Sequence, residues 1–185
     1  MTAAASIRLA DYTPWAFELP FIALDVNIQD DHVVVASRLS LEPGRSGEPL
    51  VLCGVDLAVE SLAIDQAPLQ PEDYCLADGR LTIPNVPGQP FVLETCCRLD
   101  PYSNSSLEGL YASGGLLSTQ CEAEGFRRIS LHPDRPDVLS RWQVRIEASR
   151  SSCPVPFPPP HRDRLHSCLC VGVHNFWLQT LTASR

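Results

Sequence analysis

The sequence predicts an all-β fold, and three observations carry that expectation. Apolar and polar residues alternate with a period of two over several stretches. Turn-forming pairs (Asp30-Asp31, Asp78-Gly79, Pro87-Gly88) punctuate those stretches. Only one short segment, after Asp134, reads as helix.

The elements follow in order. In residues 21–29, Leu24, Val26 and Ile28 point one way and Asp25, Asn27 and Gln29 the other. After Asp30-Asp31, residues 32–41 alternate again, with Val33, Val35, Leu39 and Leu41 on one face, so the pair reads as a β-hairpin. Residues 44–49 are a loop, and 50–53 and 57–64 are further strands. Asp78-Gly79 and Pro84 bound a short strand at 80–83, and 91–98 is another. The Ser- and Gly-rich stretch 102–118 reads as a long irregular loop with one helical turn near Leu107. Residues 126–131 read as a strand. Asp134 is placed to cap a short helix with Pro136 in its first turn. Trp142, Val144 and Ile146 alternate with Gln143, Arg145 and Glu147 as a half-buried strand. About eight or nine short strands and one short helix describe a β-sheet or sandwich.

Composition narrows the function classes. A chain of 185 residues holds one domain and a tail. Hydrophobic residues at 44% and charged residues at 19% exclude disorder along the whole chain. The net charge is −8, and all 14 basic residues are arginine without forming a basic stripe, so no nucleic-acid partner is expected. No apolar run approaches a membrane span, so no membrane partner is expected either. Arg8 and Asp11 interrupt the N-terminal apolar residues, which argues against a signal peptide and for the cytoplasm, with the eight cysteines as thiols. From about Ser151 the strand grammar fails. Pro154, Pro156, Pro158, Pro159 and Pro160 cannot belong to an interior strand. A β domain over 1–154 and a poorly ordered Pro-rich tail over 155–185 are therefore expected.

Several residue groups suggest chemistry. Cys121 and His132 offer a thiol and a base, but at this separation a structural thiol and a loop histidine are the better account. His161, His166, Cys168 and Cys170 gather metal-ligand types without the paired spacing of a zinc site, so no metal is assigned. The Pro-rich stretch reads as a linker more readily than as a polyproline ligand, and the Asn104-Ser105-Ser106 sequon has no meaning in a cytoplasmic chain. The run Thr119-Gln120-Cys121-Glu122-Ala123-Glu124-Gly125-Phe126-Arg127 is more informative. Read as extended, it projects Gln120, Glu122 and Glu124 to one face, where an amide and two carboxylates could hold an ammonium ion. The competing reading is a solvated face whose acids are neutralised by Arg127 or Arg128.

Three linked segments carry a family resemblance. They are Asn104-Ser105-Ser106-Leu107-Glu108-Gly109-Leu110-Tyr111, then the run from Thr119 to Ile129, then Asp134-Arg135-Pro136-Asp137-Val138-Leu139-Ser140-Arg141. Over roughly residues 7–153 the chain resembles the N-terminal domain of bacterial aminopeptidase N, a family of zinc-dependent metallo-aminopeptidases. The resemblance implies a saddle-shaped, sandwich-like β domain beside a catalytic domain that holds zinc through HExxH and a distant Glu and carries a GAMEN loop. It places Gln120 and Glu122 in the substrate pocket, recognising the α-amine of a peptide. Glu124 is then structural, a partner of Arg127.

GAMEN and HExxH are absent from this chain. No catalytic residue, no metal ligand and no cofactor are therefore assigned within it, zinc belonging to the catalytic domain of the parent enzyme. The implied partners are a peptide amino terminus and that missing catalytic domain. The resemblance stops at about Cys153-Pro154, before the last strands of the family's domain, as in a truncated or frameshifted gene. The expectation is a non-catalytic portion, inactive alone. The alternative is a short non-enzymatic β module that binds peptide amino termini or a protein partner.

Overall fold

A computed structural model describes residues 9–45 and 47–148. The strands are β1 (Phe17–Ile28), β2 (Val33–Pro43), β3 (Leu50–Cys53), β4 (Ala58–Ile64), β5 (Ala67–Pro68), β6 (Cys75–Ala77), β7 (Arg80–Ile83), β8 (Phe91–Leu99), β9 (Gly109–Ser113), β10 (Leu116–Gln120) and β11 (Arg141–Ala148). Short 3-10 turns are the only helical pieces among the described residues, so the fold is all-β. None of these is long and apolar enough to cross a membrane. The tail 155–185, with its prolines and the His161, His166, Cys168 and Cys170 group, lies outside the described residues.

Six strands form the main sheet in the order β11-β1-β2-β8-β4-β5, with a three-stranded sheet β3-β7-β6 and a two-stranded ribbon β10-β9. Only the β1–β11 pairing of the main sheet is parallel. The predicted period-2 faces form as read. On β2, Val33, Val35, Leu39 and Leu41 are buried, and on β8 Phe91, Leu93, Cys97 and Leu99. They join Leu50, Leu52, Leu81 and Ile83 of the smaller sheet in one core. One polar pair interrupts it: Ser37 and Thr95, cross-strand partners, share a buried hydroxyl–hydroxyl hydrogen bond of 2.7 Å. Each hydroxyl satisfies the other, so burial leaves neither orphaned.

Irregularities have local causes. The β1–β2 register shifts between Glu18 and Phe21, where β1 carries an extra residue. Pro20, which has no N–H to donate, sits in that bulge. The hairpins β4–β5, β6–β7 and β9–β10 turn through residue pairs with positive φ: Asp65 and Gln66, Asp78 and Gly79, Gly114 and Gly115. Two successive positive φ values define the type I′ turn, whose twist matches that of paired strands.

Four expectations are corrected. The stretch 102–118 is not all loop, because it holds β9 and the start of β10 around Gly114-Gly115. The predicted helical turn near Leu107 is absent, Leu107 having a φ of 59°. Residues 126–131 do not form a strand but open with a 3-10 turn, Phe126–Arg128. The helix expected from Asp134 is an irregular turn. Asp134 has a φ of 49°, outside the extended geometry of an N-cap, and its carboxylate accepts from Arg127 instead of from the following amides.

Candidate functional site

The predicted site residues lie where β10 ends. Gln120 is its last residue, and 122–125 form a turn leading into the 3-10 turn Phe126–Arg128. The loop is closed by the Gly125 N–H donating to the Cys121 carbonyl at 3.0 Å. The peptide between Glu122 and Ala123 is cis.

Two glycines make this loop possible. A Cβ on Gly125 would collide with the Gln120 carbonyl oxygen and lie 2.9 Å from Cys121 Cα and 3.1 Å from Gly109 N. Gly109, at φ 72°, allows no Cβ either, since one would sit 2.6 Å from Arg128 Cβ. The start of β9 and the end of the loop thus touch backbone to backbone. Asn104 shapes the approach to β9: its side-chain amide donates to the carbonyls of Glu108 (2.8 Å) and Leu110 (2.9 Å), and its oxygen accepts from the Ser106 N–H (3.0 Å) and hydroxyl (2.7 Å).

The charges sort themselves. Arg127 reaches Asp134 through Nε at 2.5 Å and Glu124 through Nη2 at 3.2 Å. Arg128 pairs with Asp56 and, at 3.3 Å, with Glu108. The Glu124–Arg127 pair expected from the sequence is therefore present. Glu122 is exposed, and among the described residues its carboxylate has no cationic partner. The Gln120 side chain, also exposed, donates from Nε2 to the Glu122 backbone carbonyl at 3.4 Å, which leaves its amide oxygen as an acceptor. The Gln120 side chain thus meets the Glu122 backbone, while the Glu124 carboxylate pairs with Arg127. The extended single-face reading of all three is corrected, because residues 122–125 turn.

Behind the loop, the rings of Phe126, His132 and Trp142 form a cluster with centroid separations of 5.0, 5.2 and 5.3 Å. Burial pushes the His132 imidazole down to about 4 and the Cys121 thiol up to about 11. Both shifts are the reverse of what a Cys–His catalytic pair needs at neutral pH. Among the described residues, no three His, Cys, Asp or Glu side chains converge as a metal site. Arg128 also lines a polar cavity of about 330 Å³, together with Asp56, Asp100 and the 103–106 loop. Its Asp100 carboxylate already accepts from the Tyr102 and Ser103 amides.

The N-terminal segment is clasped to the same region. Asp137 takes a bidentate grip from Arg135 (2.8 Å each) and accepts from the Tyr12 hydroxyl at 2.9 Å, while Arg135 donates to the Thr13 carbonyl at 2.8 Å. The Arg135 guanidinium holds the Asp137 carboxyl well below the usual carboxylate range. The sequence did not reveal this clasp, nor the Arg127–Asp134 and Arg128–Asp56 pairs. Nothing in the local pattern distinguishes these arginines from solvated ones.

Comparison with known proteins places the architecture first. The fold is shared with the M1 zinc metallopeptidase of Deinococcus radiodurans, at 15% identity and a TM-score of 0.60 over 71% of this chain and 32% of that one. Aminopeptidase A of Legionella pneumophila, solved in complex with aspartic acid, is 29% identical with a TM-score of 0.73, over 80% of this chain and 18% of that one. The all-β fold is thus one that these peptidases share over part of their length. No family model matches the chain. Aminopeptidase N of Caulobacter vibrioides is 48% identical over 144 residues, and that of Escherichia coli 40% identical over 147. These matches cover 77% and 80% of this chain but 17% and 16% of the relatives, so the chain spans less than a fifth of their length. The chain belongs to the aminopeptidase N family and matches a small N-terminal part of it.

Proposed function

We propose that residues 1–154 are the non-catalytic N-terminal portion of a cytoplasmic, zinc-dependent aminopeptidase, and that Gln120 and Glu122 recognise the α-ammonium of a peptide substrate. The observation that carries this reading is the Glu122 carboxylate, exposed and unpaired among the described residues while its loop neighbours are neutralised. A carboxylate in that state pairs with an ammonium through a charge-assisted hydrogen bond, and the adjacent amide oxygen of Gln120 accepts a second N–H. An acetylated amine loses the charge and two donors, so the site discriminates against it. Zinc and its ligands belong to the catalytic domain of the parent enzyme, which is the natural partner of this surface. That domain polarises the scissile carbonyl; the residues here hold the amine at a fixed place.

The test is a titration of the full chain with a trialanine peptide and with its N-acetyl counterpart, followed by NMR. The free-amine peptide binds at least about tenfold more tightly, and Glu122→Gln removes the difference. Equal affinity for both peptides overturns the reading. Zinc-dependent hydrolysis of an amino-acid anilide by the pure chain would show that it is not a non-catalytic portion.

A further inference from the structure

Glu122 lies on a short loop, and an exposed loop acid recognises a ligand well only when its backbone is fixed. The structure shows what fixes it. Asp134 is nearly buried, its side chain 11% exposed, and follows His132, whose backbone forms a reciprocal two-bond bridge with Cys53 (2.7 and 3.0 Å). Arg127 is held twice. Its carbonyl accepts from the Val55 N–H at 2.9 Å, and its Nε donates to Asp134. From there Nη2 reaches out to Glu124, whose side chain is 70% exposed. A chain of contacts thus runs from the sheet-anchored Asp134 through Arg127 to the loop, two residues from Glu122.

We propose that Arg127, oriented by Asp134, is the positioning residue of the amine site: its planar fork ties the 121–125 loop to the body of the domain and so aims Glu122. The proposal deepens the reading of Gln120 and Glu122 as the ammonium-binding pair and rests on it. The geometry requires arginine. One guanidinium contacts two carboxylates from two different nitrogens, Nε and Nη2, at a fixed angle. A lysine in its place keeps the charge but not the fork.

That distinction gives a test with opposite signs. If Arg127 acted only as a nearby positive charge, it would repel the substrate ammonium. Arg127→Lys would then leave affinity unchanged, and Arg127→Gln would raise it. If Arg127 positions the loop, both variants weaken binding of the free-amine peptide, by roughly threefold to tenfold, and leave the acetylated peptide unaffected. Glu124→Gln cuts the outer contact at an exposed residue, spares the Arg127–Asp134 pair and weakens binding in the same direction. It keeps the test open should the Arg127 variants fail to fold.

The experiment titrates trialanine and acetyl-trialanine into the full-length wild-type chain, Arg127→Lys, Arg127→Gln and Glu124→Gln, each with and without Glu122→Gln. The expected result is a loss of amine preference in each variant that vanishes in the Glu122→Gln background. Unchanged or tighter binding in Arg127→Lys and Arg127→Gln, with wild-type preference intact, overturns the positioning role alone. Absence of amine preference in the wild-type chain overturns the amine site, and the positioning role with it.

Discussion

The main sheet and the segment from Gly109 to Arg141 are held together by different physics. In the sheet, β1, β2 and β8 bury one continuous apolar face, and the only buried polar contact among their inner residues is the Ser37–Thr95 pair. In the segment around the candidate site, shape comes from glycine clearances at Gly109 and Gly125 and from the Arg127, Arg128 and Arg135 ion pairs. Hydrophobic burial is non-directional and tolerant of detail. Steric clearance and charge geometry are not. The region that stabilises the fold is therefore separable from the region that shapes the loop.

The largest effect expected is a break in the sheet. Leu93, fully buried on β8, should cost about 2–5 kcal/mol on substitution by Ala. Urea denaturation reads this as a lower midpoint with an unchanged slope, and amine preference should persist in the molecules that remain folded. An unfolding free energy within about 0.5 kcal/mol of wild type would mean that the core is not where the stability resides.

Next in size is acid. His132 has a folded-state value of about 4 against an ordinary 6.5, because burial disfavours its charged form. Between those values the unfolded chain takes up a proton that the folded chain refuses. Stability from this group is therefore constant above pH 6.5 and falls as pH drops toward 4, by on the order of 3 kcal/mol. Asp137, depressed by Arg135, adds its own decline only below about pH 4. Thermal melts across that range should show the loss, and His132→Phe, which keeps a ring against Phe126 and Trp142, should flatten it between 6.5 and 4. An identical profile in the variant would assign the acid sensitivity to other groups.

The smallest effect sharpens the contrast locally. Gly125→Ala places a methyl against backbone atoms of Gln120, Cys121 and Gly109, none of which is a flexible side-chain end. It should cost about 1–3 kcal/mol and abolish amine preference. Gly88→Ala, with nothing within 4 Å of the new methyl, should be neutral or stabilise by up to about 1 kcal/mol. Paired melting curves compare the two, and equal shifts would remove clearance as the explanation.

This division also accounts for which elements are legible in the sequence. The inner faces of β2 and β8 and the 80–83 strand were visible because period-2 alternation records one-sided burial directly. The β9–β10 ribbon is not legible in the sequence because it buries little beyond Gly109 and Leu110, so its residues do not alternate, and Gly114-Gly115 has the composition of a loop. The sequence predicts a helix after Asp134 because an acid shortly before a proline is a good cap locally. The carboxylate instead went to Arg127, seven residues upstream. For the proposed site, the family resemblance offers Gln120 and Glu122, but no local pattern records that Arg127 contacts both Asp134 and Glu124.

By itself, then, the sequence determined the all-β class, the pairing of the first hairpin, the apolar faces that make the core and the residue types available for an ammonium ion. These are local or periodic properties, and hydrophobic burial leaves its mark in the residue pattern. Only the tertiary structure decided that β11 lies parallel to β1, that two glycines meet backbone to backbone beneath the loop, and that Arg127 spends its charge on Asp134 and Glu124 while Glu122 stays open. Charge partners and steric clearances join residues distant along the chain, and a one-dimensional pattern does not record which of several arginines and acids will meet.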